Sequence, residues 1–224
     1  MVIKNNINEF QSELQGTGCR LIAVSKTQSA SLIQEAYDAG QRIFGENKAQ
    51  EMAAKQQQLP ADIEWHMIGH LQTNKVKYIA PFVALIHSVD SLKLLDEINK
   101  QGLKLNRKIK CLLQVYIARE ETKFGLDESE LLDLLNTNLA ASYPAVEIVG
   151  LMGMATFTQN QDQIREEFEY LKKLFDNLKQ SKLPANVSMT ELSMGMSSDY
   201  KIALLCGSTL VRIGTAIFGE RNYH

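Results

Sequence analysis

The chain has few of the residues that mark specialised architectures. Its three cysteines, Cys19, Cys111 and Cys206, are far apart and form no CxxC pair. An odd, scattered set argues against a disulfide framework or a zinc site and for buried free thiols in a reducing cytoplasm. Prolines number four, and no stretch rich in proline, glycine or serine separates two halves. No apolar run is long enough to span a bilayer, and the opening MVIKNNINEFQSELQ lacks the apolar centre of a signal peptide. The formal net charge of −2 leaves no basic footprint for nucleic acid or an anionic membrane. Neither GxGxxG nor GxxxxGK[ST] occurs, so a dinucleotide or nucleoside triphosphate site has no motif behind it.

What is present is alternation. With 45% hydrophobic residues the chain can bury a sizeable core. After an N-terminal helix, short apolar strand-like runs are expected at 21–25, 42–44, 65–68, 84–88, 110–117, 148–152, 186–189 and 209–213. Helical patterns follow at about 31–39, 47–58, from 73, 92–101, 127–138, 162–178 and 199–206. A charged loop is expected after the fifth strand, and only a short tail after the eighth. Eight βα units in this length favour one closed (β/α)8 barrel, residues 1–224 as a single domain, over an open doubly wound sheet. The charge-rich helical stretch 165–182 reads as a solvated outer face.

In such folds chemistry collects at the C-terminal ends of the strands. The run LIAVS ends on Lys26, where apolar walls would favour a neutral, nucleophilic amine. A solvated lysine just past a strand is the plain alternative. Two small-residue stretches, 193–199 (SMGMSSD) and 211–216 (VRIGTA), follow the last two strands. Both read as loops, Ser197 or Ser198 as a helix N-cap, and this is the usual phosphate-binding corner of a barrel. His66 and His70 have i, i+4 spacing, but a glycine intervenes and no glutamate follows His66, so packed or hydrogen-bonded histidines are favoured over zinc ligands.

These stretches also carry a resemblance. WHMIGHLQTNK at 65–75 is similar to the signature of the pyridoxal phosphate homeostasis proteins. AVSKT at 23–27, FGENKAQE at 44–51, LSMGMSSD at 192–199 and VRIGTAIFG at 211–219 resemble that family's other blocks, in the same order. The resemblance implies a barrel like the N-terminal domain of alanine racemase. It also implies pyridoxal 5′-phosphate (PLP) held as a Schiff base on Lys26. By the same matching, Ser193, Gly214 and Thr215 fall on phosphate contacts, Arg212 on the pyridine nitrogen, and Asn47 and Met152 on positions lining the cofactor. His70 departs from the family, where proline is common. The tail after Gly219 offers little of the basic C-terminus seen in some members, which leaves a second PLP site there unsupported.

Two functions compete. One is a PLP carrier or buffer that serves vitamin B6 homeostasis and hands the aldehyde to PLP-dependent apo-enzymes. The other is an amino-acid racemase or related PLP enzyme. Racemisation needs a base on each face of the substrate carbanion. The chain ends at His224 with no room for the further domain from which alanine racemases draw a tyrosine. The carrier is the favoured reading, without robust turnover, and a monomer is favoured over a dimer. A barrel for another phosphorylated metabolite would leave Lys26 without purpose.

Overall fold

The structure is a computed structural model, and residues 2–119 and 125–219 of it are described. Most of the charged loop expected after the fifth strand, and the tail beyond Gly219, lie outside these residues.

Eight parallel strands close into a barrel in sequence order. They are β1 (Arg20–Val24), β2 (Ile43–Glu46), β3 (Glu64–Met67), β4 (Leu85–Val89), β5 (Ile109–Gln114), β6 (Val146–Met152), β7 (Val187–Met196) and β8 (Leu210–Ile213). Parallel neighbours need a crossover, and helices supply it: α1 (Val2–Leu14) precedes the barrel, followed by α2 (Ala30–Asp38), α3 (Ala49–Gln56), α4 (Val76–Ile79) and α5 (Leu92–Lys104). Then come α6 (Glu128–Leu135), α7 (Leu139–Ser142), α8 (Gln161–Gln180), α9 (Tyr200–Leu205) and α10 (Thr215–Phe218). The expected barrel is therefore present.

Strand periodicity explains how it positions a site. Leu21 and Ala23 of β1 face the helices and join the outer core, whereas Ile22 points into the barrel. There it meets Ile43, Leu85, Leu112, Val149, Met152 and Leu210. Two residues further along several strands, the same inward direction opens on a cavity at the C-terminal end. It carries Val24 from β1, Lys26 just after it, Asn47 after β2, Ile68 after β3 and Arg212 from β8.

Four local expectations are corrected. Strand seven runs to Met196 instead of stopping at residue 189, so the stretch 193–196 is strand and not loop. It continues because its register shifts against β6, from Ile148↔Val187 to Gly150↔Glu191. Gly150, at φ 156°, makes room there: a Cβ on it would lie 1.7 Å from the Glu191 carbonyl oxygen. The helix after β7 is capped by Asp199, not by Ser197 or Ser198, and the Asp199 carboxylate accepts the Met196 N–H at 2.6 Å. The chain after β8 forms α10, which α1 holds through Asn6 Nδ2 donating to the Ile217 carbonyl at 2.9 Å. Helix α8 is also less uniformly solvated than its charge implies: Glu167 is buried and accepts from the Thr156 N–H and hydroxyl, both at 2.7 Å.

Candidate functional site

Lys26 emerges one residue beyond the last buried turn of β1, half-buried on the wall of a cavity of about 410 Å³. Its backbone is fixed on both sides by a polar cluster. Ser25 donates its N–H to the Gly45 carbonyl (3.0 Å) and its hydroxyl to Glu46 Oε1 (2.6 Å). Lys55 Nζ, from α3, donates to the Ser25 carbonyl, to Glu46 and to Glu51, each at 2.7 Å. Glu51 in turn accepts the Thr27 N–H at 2.6 Å. Thr27 has φ 66°, a conformation that costs a β-branched residue free energy and persists only under such restraint. Burial pushes the Glu46 carboxyl up, against the opposing pull of the Lys55 ammonium and the Ser25 hydroxyl. Among the described residues Glu46 Oε2 has no hydrogen-bond partner.

Arg212 stands on the neighbouring strand β8, in register with Ile22. It lines the cavity yet is only 4% exposed. Its Nη1 donates to Ser193 Oγ at 2.5 Å and its Nη2 to the Gly153 carbonyl at 3.2 Å. Burial lowers its pKa to about 10, with Asp199 pulling the other way, so the guanidinium stays charged at neutral pH. Behind it a string of buried groups runs through the barrel. His87 Nδ1 lies 2.9 Å from Ser193 Oγ, and His87 Nε2 lies 2.9 Å from His66 Nδ1. Burial lowers the His66 pKa to about 3; burial, then the neighbouring His66 and Arg212, also holds His87 well below its ordinary value.

The third side of the cavity is made by hydroxyls and backbone. Ser197, Ser198, Gly214 and Thr215 line it, and the Gly214 N–H donates to Ser197 Oγ at 3.4 Å, tying the loops after β7 and β8 together. A Cβ on Gly214 would sit 3.3 Å from Val24, so a larger residue would crowd the wall beside Lys26. Asn47 lines the same cavity, and Gly69 lets the loop after β3 press against it: a Cβ there would be 2.8 Å from the Asn47 Cα. Met154 and Phe157, after β6, add apolar surface.

Of the expected site residues, Lys26, Asn47, Arg212, Gly214 and Thr215 converge on one cavity. Ser193 and Met152 do not line it. Met152 is 1% exposed within the barrel's interior layer. Ser193 is fully buried because β7 continues through it, and it accepts from Arg212, which corrects its placement on a loop. The position four residues on, Ser197, lines the cavity; its signal in the sequence is the small-residue stretch itself. Glu46, Glu51 and Lys55 go unread from sequence, because they look like helix-surface and strand-end charges until the fold stacks α3 on β1 and β2. The two spaced histidines part company. His66 bonds within the barrel, whereas His70 is exposed and sits 3.1 Å from Asp90.

Comparison with known proteins places this geometry in a family. The model of the alanine racemase N-terminal domain matches residues 2–222. A pyridoxal phosphate homeostasis protein of Aquifex aeolicus is 42% identical over 211 residues, covering 93% of this chain and 90% of that protein. The structure of PipY from Synechococcus elongatus with PLP bound superposes with a TM-score of 0.85 at 36% identity, over 97% of this chain and all of that one. An alanine racemase from Bartonella henselae shares the fold alone, at 16% identity and a TM-score of 0.73, and this chain spans 61% of it. The chain belongs to the alanine racemase N-terminal domain family and, within it, to the pyridoxal phosphate homeostasis proteins.

Proposed function

We propose that the cavity holds PLP and that the protein is a carrier or buffer of this cofactor in vitamin B6 homeostasis, with PLP-dependent apo-enzymes as recipients. The observation that carries the reading is that a wall lysine, a buried arginine and a cup of hydroxyl and backbone groups share one 410 Å³ space. That donor set fits PLP, which needs an amine, a place for a dianion and a partner for a ring nitrogen. When bound, PLP supplies an aldehyde that amines capture reversibly. Lys26 is the amine. Ser197, Ser198, Gly214 and Thr215 would hold the phosphate, and Arg212 would face the ring nitrogen. Asn47 would border the ring, while Met152 and Ser193, buried outside the cavity lining, would support it from beneath.

Arg212 also favours holding over turnover. A guanidinium donates a hydrogen bond but keeps its proton, so it leaves a pyridine nitrogen a weaker electron sink than a carboxylic acid would. Among the described residues, those lining the cavity include no tyrosine to serve as a second base. A cytoplasmic setting suits three buried free thiols, and the described residues form no helix long and apolar enough to cross a membrane.

The test is to incubate the PLP-loaded protein with amino acids in deuterium oxide, and separately with an apo-enzyme. Activation of the apo-enzyme with negligible Cα–H exchange is expected. Exchange at about 1 s⁻¹ or faster, lost in Lys26→Ala, would make the protein an enzyme.

A further inference from the structure

The interior of an eight-stranded barrel is ordinarily filled by layers of branched apolar side chains. Here His66 stands in register with Leu85 and Ser193 with Leu210, and these two residues and His87 are each 3% exposed or less. Buried polar groups are costly unless each is hydrogen-bonded, so their pairing has a direction that can be worked out.

Arginine can only donate. Arg212 therefore makes Ser193 Oγ an acceptor, at 2.5 Å. Two arrangements remain for the rest of the string. If His87 Nδ1 carried a proton, Ser193 Oγ would accept twice and its hydroxyl hydrogen would have no partner, since its other neighbour is the arginine. If His87 Nδ1 is bare, the Ser193 hydroxyl donates to it, and the hydroxyl and both nitrogens of His87 are used. His87 then carries its proton on Nε2 and donates to His66 Nδ1, 2.9 Å away. His66 in turn carries its proton on Nε2. The imidazole of His66 borders a second cavity, of about 350 Å³ at the opposite end of the barrel, beside Arg20, Glu64 and Glu191. Burial keeps both histidines neutral at ordinary pH, as this arrangement requires.

We propose that His66, His87 and Ser193 are positioning residues: a one-directional relay of hydrogen bonds that fixes Arg212 in the orientation it presents to the cofactor cavity. This rests on the PLP reading above for its functional consequence, but not for its geometry. It also gives Ser193 a role different from a phosphate contact. Ser193 acts through Arg212, and the cup is left to Ser197, Gly214 and Thr215.

The experiment has two arms. In the first, protein without PLP is labelled with 15N-histidine, and long-range proton–nitrogen correlation at neutral pH reads the tautomers. His66 and His87 are expected to carry the proton on Nε2 with Nδ1 bare; an Nδ1–H on either ring, or a doubly protonated ring, overturns the relay. In the second, His87→Leu and His87→Asn are loaded with PLP. His87→Leu should shift the visible absorption band and weaken PLP about tenfold, as for a hydrogen bond that orients a charged group. Its preference for PLP over pyridoxal should be unchanged. His87→Asn, whose Oδ1 can still take the Ser193 hydroxyl, should restore the wild-type band. A folded His87→Leu protein with the wild-type band and affinity contradicts the proposal. Should His87→Leu not fold, the tautomers decide. A wild-type protein that binds no PLP would sink the cofactor reading while the tautomer result still judged the relay.

Discussion

Two buried polar clusters flank the candidate site, and they differ in kind. Behind Lys26, between the sheet and α3, Glu46, Lys55 and Glu51 form an ionic cluster that grips backbone atoms of Ser25 and Thr27. Behind Arg212, inside the barrel, the partners are neutral imidazoles and a hydroxyl that grip a side chain. On the proposed function Lys26 is the point where an aldehyde attaches, and the first cluster fixes the backbone on either side of it. An arginine that must hold one orientation needs its guanidinium fixed, so the restraint falls on its tip. Charge is affordable in the first cluster because each ion has a counter-ion at 2.7 Å. In the second, a protonated histidine would face Arg212 across one serine, and burial keeps it neutral.

The comparison can be broken first at Lys55. Lys55→Met leaves Glu46 buried without its counter-ion and should cost about 3–5 kcal/mol of stability, read by denaturant unfolding. The double change Glu46→Leu with Lys55→Met should recover most of that loss, whereas pairing Lys55→Met with a change in the histidine string should simply add. Recovery in the wrong pair would mean that the clusters are not separate.

Acid should break the other cluster. A histidine whose folded pKa is depressed binds fewer protons folded than unfolded, so its neutral form contributes stability that is present above the ordinary value of 6.5. That stability is lost as pH falls from 6.5 toward about 3 for His66. The slope is about 1.4 kcal/mol per pH unit for each histidine fully protonated in the unfolded chain. Urea unfolding across this window should steepen accordingly in wild type and flatten in His66→Gln. An unchanged slope in the variant would contradict a neutral, buried His66.

A smaller effect should sharpen the account of Lys26. Thr27→Gly relieves a left-handed φ of 66° and should raise stability by about 1 kcal/mol, while keeping the N–H that Glu51 accepts. A loss of stability instead would show that the threonine side chain is needed in its own right.

The sequence made some of this legible and hid the rest for physical reasons. Lys26, Asn47, Arg212 and Gly214 could be placed because strand ends are marked by apolar runs stopping at polar or small residues, and a barrel brings those ends together. Residues 193–196 were misread because small residues that look like a loop are also what a strand needs where its register shifts over a glycine. Gly150 supplies the space, 43 residues earlier than Ser193, and no local pattern couples the two. His66 and His87 could not be joined from sequence either, since their contact crosses from β3 to β4 inside the barrel. Lys55 gave no signal at all, being an ordinary charge on an ordinary helix until α3 is laid over Ser25 and Glu46.

The central claim is that Lys26 is the amine of a PLP site. It is tested most directly by incubating the protein with PLP, reducing with borohydride and mapping the modified peptide by mass spectrometry. The account predicts one phosphopyridoxyl group, on Lys26, absent in Lys26→Ala, with Lys55 unmodified because its ammonium is held by three acceptors. An unlabelled protein in excess PLP, or label spread over surface lysines with Lys26 untouched, would contradict it.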